Sequence, residues 1–125
     1  MKLINNKFPS KYKLKSKLAI EKLFKEGKTI KNFPLKLVFL SYEFDDSNLK
    51  IGFSVPKKLF KKAVDRNRLK RMMREVFRNN KEAIFRHFEN STAIMLIYMH
   101  NEKIDLKEME EKYFQLLEKT PSTQK

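Results

Sequence analysis

The side chains of this chain best placed to do chemistry are cations repeating at helical spacing. Taking about 100° per residue from Arg66, the residues Arg66, Asn67, Lys70, Arg71, Arg74 and Arg78 fall within about 140° of one another on one helical face. Leu69, Met72, Met73, Val76 and Phe77 fall on another, so the same helix carries an apolar stripe that can seat it on a core. Only Asp65 and Glu75 interrupt the cations between Lys61 and Arg78. A solvated helix face normally mixes signs; this one does not, and its natural partner is a polyanion. Arginine forks match phosphate oxygens, and Asn67 can bond a phosphate, a 2′-hydroxyl or a base edge. Lys57, Lys58, Lys61 and Lys62 extend the field at the positive end of the helix dipole.

Side chains for catalysis by the protein itself are not assembled in the same way. His87 and His100 have no ligand partner at metal-binding spacing. Asp45 and Asp46 fall in a turn, where Asp is favoured for local hydrogen bonds. Glu108, Glu110 and Glu111 read as a solvated helix face. With two glycines in the chain, Gly27 and Gly52, there is no glycine-rich phosphate loop. The absence of cysteine excludes disulfides and thiolate metal sites and suits a reducing cytoplasm. No apolar run approaches the ~18 residues of a membrane span, and no signal-peptide core is visible.

The charge is unevenly spread. Of the net +14, residues 1–31 hold +8 and residues 50–78 hold +9, while the rest is near balance. At 125 residues and 41% hydrophobic, the chain suits one domain with a modest core. The expected organisation is a basic extended arm over 1–13, a globular unit over 14–119 and a polar tail over 120–125.

The elements that would position the cations follow from periodicity. A short helix is expected at about 16–26, capped by Ser16 and closed by Gly27, with Ile20, Leu23 and Phe24 sharing a face. Thr29 and Ile30 suggest a short strand. Leu35, Leu37 and Phe39 alternate with Lys36, Val38 and Leu40 in a second. Leu49, Ile51, Phe53 and Val55 alternate with Lys50, Gly52 and Ser54 in a third. One long helix is expected over about 63–87. The run from Thr92 to Met99 reads as a strand buried on both faces. Asp105 and Glu108 form a capping-box pattern ahead of a last helix that buries Leu106, Met109, Tyr113, Leu116 and Leu117. The order α-β-β-β-α-β-α implies an α+β, two-layer sandwich on a mixed sheet.

The segment Gly52-Phe53-Ser54-Val55-Pro56-Lys57-Lys58, followed by Ala63-Val64-Asp65-Arg66-Asn67-Arg68-Leu69-Lys70-Arg71 and Arg74-Glu75, closely resembles the bacterial ribonuclease P protein subunit. The resemblance extends over about residues 8–118. It implies a left-handed β-α-β crossover around the signature helix, although right-handed crossovers prevail in about 98% of cases. It also implies a ribonucleoprotein endonuclease whose RNA subunit uses Mg²⁺ to remove the 5′ leader of precursor tRNA. The partners implied are that catalytic RNA and the leader.

On this analogy Arg66, Asn67, Arg68, Lys70, Arg71 and Arg74, with Lys57 and Lys58 beside them, bind RNA. Ile20, Phe24, Lys36 and Val38 occupy the leader cleft between the first helix and the sheet. The chain departs from the family at Pro56, where Ser is common. It lacks a glycine before the signature helix. It has Ile20 and Val38 where many members carry an aromatic. Two alternatives remain on sequence grounds. One is a structural RNA-binding protein such as a ribosomal protein. The other is a basic membrane-surface protein, which the core-directed apolar stripe of the helix opposes.

Overall fold

The computed structural model describes residues 10–88 and 90–121. Helix α1 (Lys17–Glu26) begins where the Ser16 side chain accepts a hydrogen bond from the Ala19 N–H at 3.1 Å. It ends at Gly27, whose own N–H reaches the Leu23 carbonyl at 2.8 Å. A Cβ on Gly27 would lie 2.4 Å from that carbonyl oxygen and 3.0 Å from the Phe39 carbonyl oxygen of the sheet, so the close approach of helix end and strand requires glycine here.

Four strands follow from the alternating segments: β1 (Lys28–Asn32), β2 (Leu35–Ser41), β3 (Leu49–Ser54) and, after the signature helix, β4 (Thr92–Tyr98). They form one mixed sheet in the order β1-β2-β4-β3. The β1–β2 and β2–β4 pairs are antiparallel and β3–β4 is parallel. The parallel pair is joined by α2 (Ala63–Asn79) and α3 (Lys81–His87), which form the crossover of a β-α-β unit. Helix α4 (Leu106–Lys119) closes the fold, its Asp105 cap accepting from the Glu108 N–H at 2.9 Å.

Strand alternation sorts the core into two parts. Leu35, Leu37 and Phe39 of β2 join Leu49, Ile51, Ile94, Leu96 and the buried residues of α2, α3 and α4 on one face. Val38 joins Ala93, Met95, Ile97, Leu14 and the α1 residues Ala19 and Leu23 on the other. Strand β4 is buried along its whole length, as a strand covered on both faces must be. Phe85 and Phe88 of the α3 region pack with the α2 face.

The structure corrects the sequence reading in several places. Leu106, expected to be buried by the last helix, is 42% exposed in the first turn of α4. The helix expected over 63–87 is two helices, broken at Asn80. The Asn80 amide donates to the Val76 carbonyl at 2.9 Å and to Glu110 Oε2 at 2.7 Å, which ties the break to α4. Of the arm expected over 1–13, residues 1–9 lie outside the described residues, and the remainder is docked. Ser10–Tyr12 form a 3-10 turn, and Lys13 bridges to Ile51 on the free side of β3. Thr120, assigned to the tail, is buried, with its hydroxyl donating to the Leu116 carbonyl at 2.8 Å; residues 122–125 lie outside the described residues.

Candidate RNA interface

Leu69, Met73, Val76 and Phe77 bury one stripe of α2 against the sheet, which turns the cationic face outward. Asn67, Arg68 and Arg71 are exposed, as are Lys57, Lys58, Lys61 and Lys62; Lys70, Arg74 and Arg78 are half-buried. Among the described residues, none of Lys57, Lys58, Lys61, Lys62, Lys70, Arg71 or Arg74 has an acidic partner within ion-pair distance, so their charge is uncompensated locally. Asp65 is drawn aside by Lys103 at 3.1 Å, and Glu75 lies 3.6 Å from Arg78.

Arg66 differs from its neighbours. It sits beside the apolar stripe, and its guanidinium folds back to donate to the Phe60 and Lys61 carbonyls, both at 2.9 Å. It therefore holds the connection 57–62 against the start of a helix whose N-cap residue, Lys62, makes no side-chain capping bond. Arg68, about 200° around the helix from Arg66, lies off the main cationic face.

The second feature is a cleft of about 340 Å³ between α1 and the sheet, lined among others by Lys13, Lys15, Ile20, Gly52, Met95 and Arg74. Gly52 keeps its floor open: a Cβ there would lie 2.9 Å from Met95 Cε. Arg74 reaches this cleft from α2, so the cationic helix face and the cleft share a wall. Of the cleft residues expected from sequence, Ile20 lines it. Phe24, one helical turn further along α1, is 53% exposed. Lys36 is half-buried on β2 opposite Ile97. Val38 is 4% exposed and packs with Leu23 and Ala19, so it presents no surface to a ligand. Its assignment to the cleft lining is corrected accordingly: it supports α1 from below.

Sequence reasoning did not place Lys13, Lys15 and Arg74 in the cleft. The signal for the lysines was available, since they flank the buried Leu14 with period two. Arg74 could be assigned only once α2 was placed beside β3. Among the described residues, no three His, Cys, Asp or Glu side chains cluster as metal ligands. His87 Nε2 contacts the Thr120 carbonyl, and His100 stacks beside Phe33 at 4.9 Å. No helix is long and apolar enough to cross a membrane among the described residues.

The arrangement is a cationic helix face joined to a mixed apolar and basic cleft, suited to hold a folded polyanion on one side and an extended one beside it. The family model described as Ribonuclease P matches residues 8–121. The chain is 41% identical over 73 residues to the ribonuclease P protein component of Borreliella burgdorferi (strain ZS7), covering 57% of this chain and 59% of that protein. With the component from Borreliella afzelii (strain PKo) it is 35% identical over 95 residues, 74% of this chain and 79% of the other. The matched segment thus spans about three-fifths of the first relative's length. Among solved structures, the RNase P protein from Thermotoga maritima superposes with a TM-score of 0.70 at 30% identity, over 88% of this chain and 98% of that one. The RNase P protein from Staphylococcus aureus gives 0.70 at 25% identity, over 86% and 93%. With the family model spanning nearly the whole chain and this fold shared, the chain belongs to the bacterial ribonuclease P protein component family.

Proposed function

We propose that this chain binds the catalytic RNA of ribonuclease P through α2 and seats the 5′ leader of precursor tRNA in the α1–sheet cleft. In this reading it assists endonucleolytic removal of the leader in the cytoplasm, and catalysis belongs to the RNA. The observation that carries the reading is the shared wall at Arg74: one guanidinium stands between the cationic face of α2 and the cleft floored by Gly52 and Met95.

The physical contribution of the protein is electrostatic and positional. Lys70, Arg71 and Arg74 neutralise phosphates of a folded RNA, with Asn67 available for a sugar or base edge. Lys13 and Lys15 track the backbone of an extended strand, while Ile20 and Phe24 offer apolar surface to its bases. Mg²⁺, held by the RNA, supplies polarisation of the scissile phosphodiester and activation of water. The protein's cations lower the phosphate repulsion that the metal would otherwise have to offset, so a reduced Mg²⁺ requirement is expected.

The test is cleavage of a leader-bearing precursor tRNA by ribonuclease P RNA at low Mg²⁺, with and without the protein. A clear rise in processing supports the reading. An unchanged rate with folded, RNA-competent protein overturns it and leaves a general RNA-binding protein.

A further inference from the structure

Across the β3 margin from the α1 cleft lies a second recess of about 550 Å³, lined among others by Lys11, Tyr12, Ser47, Asn48, Phe85 and Phe88. The Tyr12 ring stands 5.2 Å from Phe85, tilted by 59°. The Lys11 and Lys81 ammonium groups lie 5.1 Å and 5.8 Å from its centroid. Lys50 fixes the backbone beneath, donating to the Lys11 carbonyl at 2.8 Å. It also pairs with Asp46 at 3.1 Å, so the acid beside Ser47 is already compensated. Lys81 further borders a neighbouring recess of about 410 Å³ that contains Arg78, Glu82, Arg86 and Phe114. Arg78 is the last cation of the α2 face, so the basic surface continues from α2 around the Asn80 break to Tyr12.

Both ammonium groups lie over the Tyr12 ring, and a nucleotide can take their place: its base stacks on the ring as the lysines turn to its flanking phosphates. We infer that the Tyr12–Phe85 recess binds an unstacked nucleotide of the catalytic RNA. The inference rests on the reading that α2 binds that RNA. The catalytic RNA is favoured over the leader because Phe85 packs with the α2 side of the sheet, whereas Ile20 and the leader cleft lie on the α1 side.

The experiment titrates ribonuclease P RNA with the full-length protein and its Tyr12→Ala, Tyr12→Phe, Lys81→Gln and Arg71→Ala variants, each checked for folding by thermal melting. Tyr12→Ala is expected to weaken binding roughly 5- to 150-fold, as loss of a stacking ring does, while Tyr12→Phe retains affinity. Lys81→Gln is expected to lower the salt slope by about 0.7–0.9. Wild-type affinity in Tyr12→Ala alongside a loss in Arg71→Ala overturns the inference and leaves the function standing. Failure of the wild-type protein to bind overturns both. A loss seen only in holoenzyme affinity for precursor tRNA overturns the choice of RNA. Should Tyr12→Ala unfold, p-benzoylphenylalanine in place of Tyr12 decides: photocrosslinking to the catalytic RNA in the holoenzyme supports the inference, and crosslinking to the leader alone or to no RNA overturns it.

Discussion

Arginines of one helix do different work at the level of single side chains. Arg66 spends two donors on the Phe60 and Lys61 carbonyls, whereas Arg71 is exposed and has no acid within ion-pair distance among the described residues. Arg66→Ala is expected to cost about 1–2 kcal/mol in a denaturant melt, because partly exposed charge-assisted hydrogen bonds are lost. Arg71→Ala should leave the melt unchanged and reduce the salt slope of RNA binding by about 0.7–0.9, one phosphate contact. Equal melts for the two variants would contradict the structural role of Arg66. Phe24 on α1 leaves 53% of its surface exposed. On the proposed function, Phe24→Ala weakens precursor tRNA binding to the holoenzyme by about 1–3 kcal/mol and spares mature tRNA. Equal losses for both substrates would assign the ring to packing instead. The cations were legible in the sequence because their spacing alone defines a face; the retraction of Arg66 was not, because it depends on where the 57–62 backbone turns.

Among the elements, the strands and caps were the most legible. Period-two alternation in β2 and β3 and the oxygen-bearing caps Ser16 and Asp105 are local signals, and each appears in the fold as expected. The break between α2 and α3 was not legible in the same way. No proline or glycine marks it, only the weak helix formers Asn79 and Asn80, and the contact that ties it down, the Asn80 amide to Glu110, joins residues thirty positions apart. Asn80→Ala removes the contacts to both Val76 and Glu110 and is expected to lower stability by about 1–2 kcal/mol. Its effect on RNA affinity should appear mainly at Lys81 and beyond, since α2 itself keeps its buried stripe. Hydrogen exchange along 77–87 would register the change; unaltered protection there would mean the break is held by packing alone. The assignment of Val38 failed for a related reason: alternation told which face it occupies but not that α1 lies over it.

For the molecule as a whole, the sheet separates two core clusters, and the buried phenols of one of them tie stability to alkaline pH. Burial, reinforced by the carboxylates of Glu108 and Glu102, pushes Tyr98 up to about 12 from an ordinary 10. Burial raises Tyr113 as well, and its hydroxyl has no hydrogen-bond partner among the described residues. The fold therefore favours the neutral phenol. The associated stability is complete below pH 10 and is lost as pH rises from 10 towards 12, where the unfolded chain ionises first. Denaturant midpoints at pH 9, 10 and 11 are expected to decline above 10, and Tyr98→Phe to flatten that decline. A flat wild-type profile would oppose it.

The docking of Lys13 and Leu14 on β3 has a consequence of a different kind. The Leu14 N–H takes the Ile51 carbonyl at 3.1 Å, closing the middle of an otherwise open strand border, while β1 at the opposite border carries Lys28 and Lys31. One border is plugged and the other is charged, two devices that prevent strand-on-strand polymerisation. A sheet so bordered offers a second copy of the chain little open edge on which to add a strand.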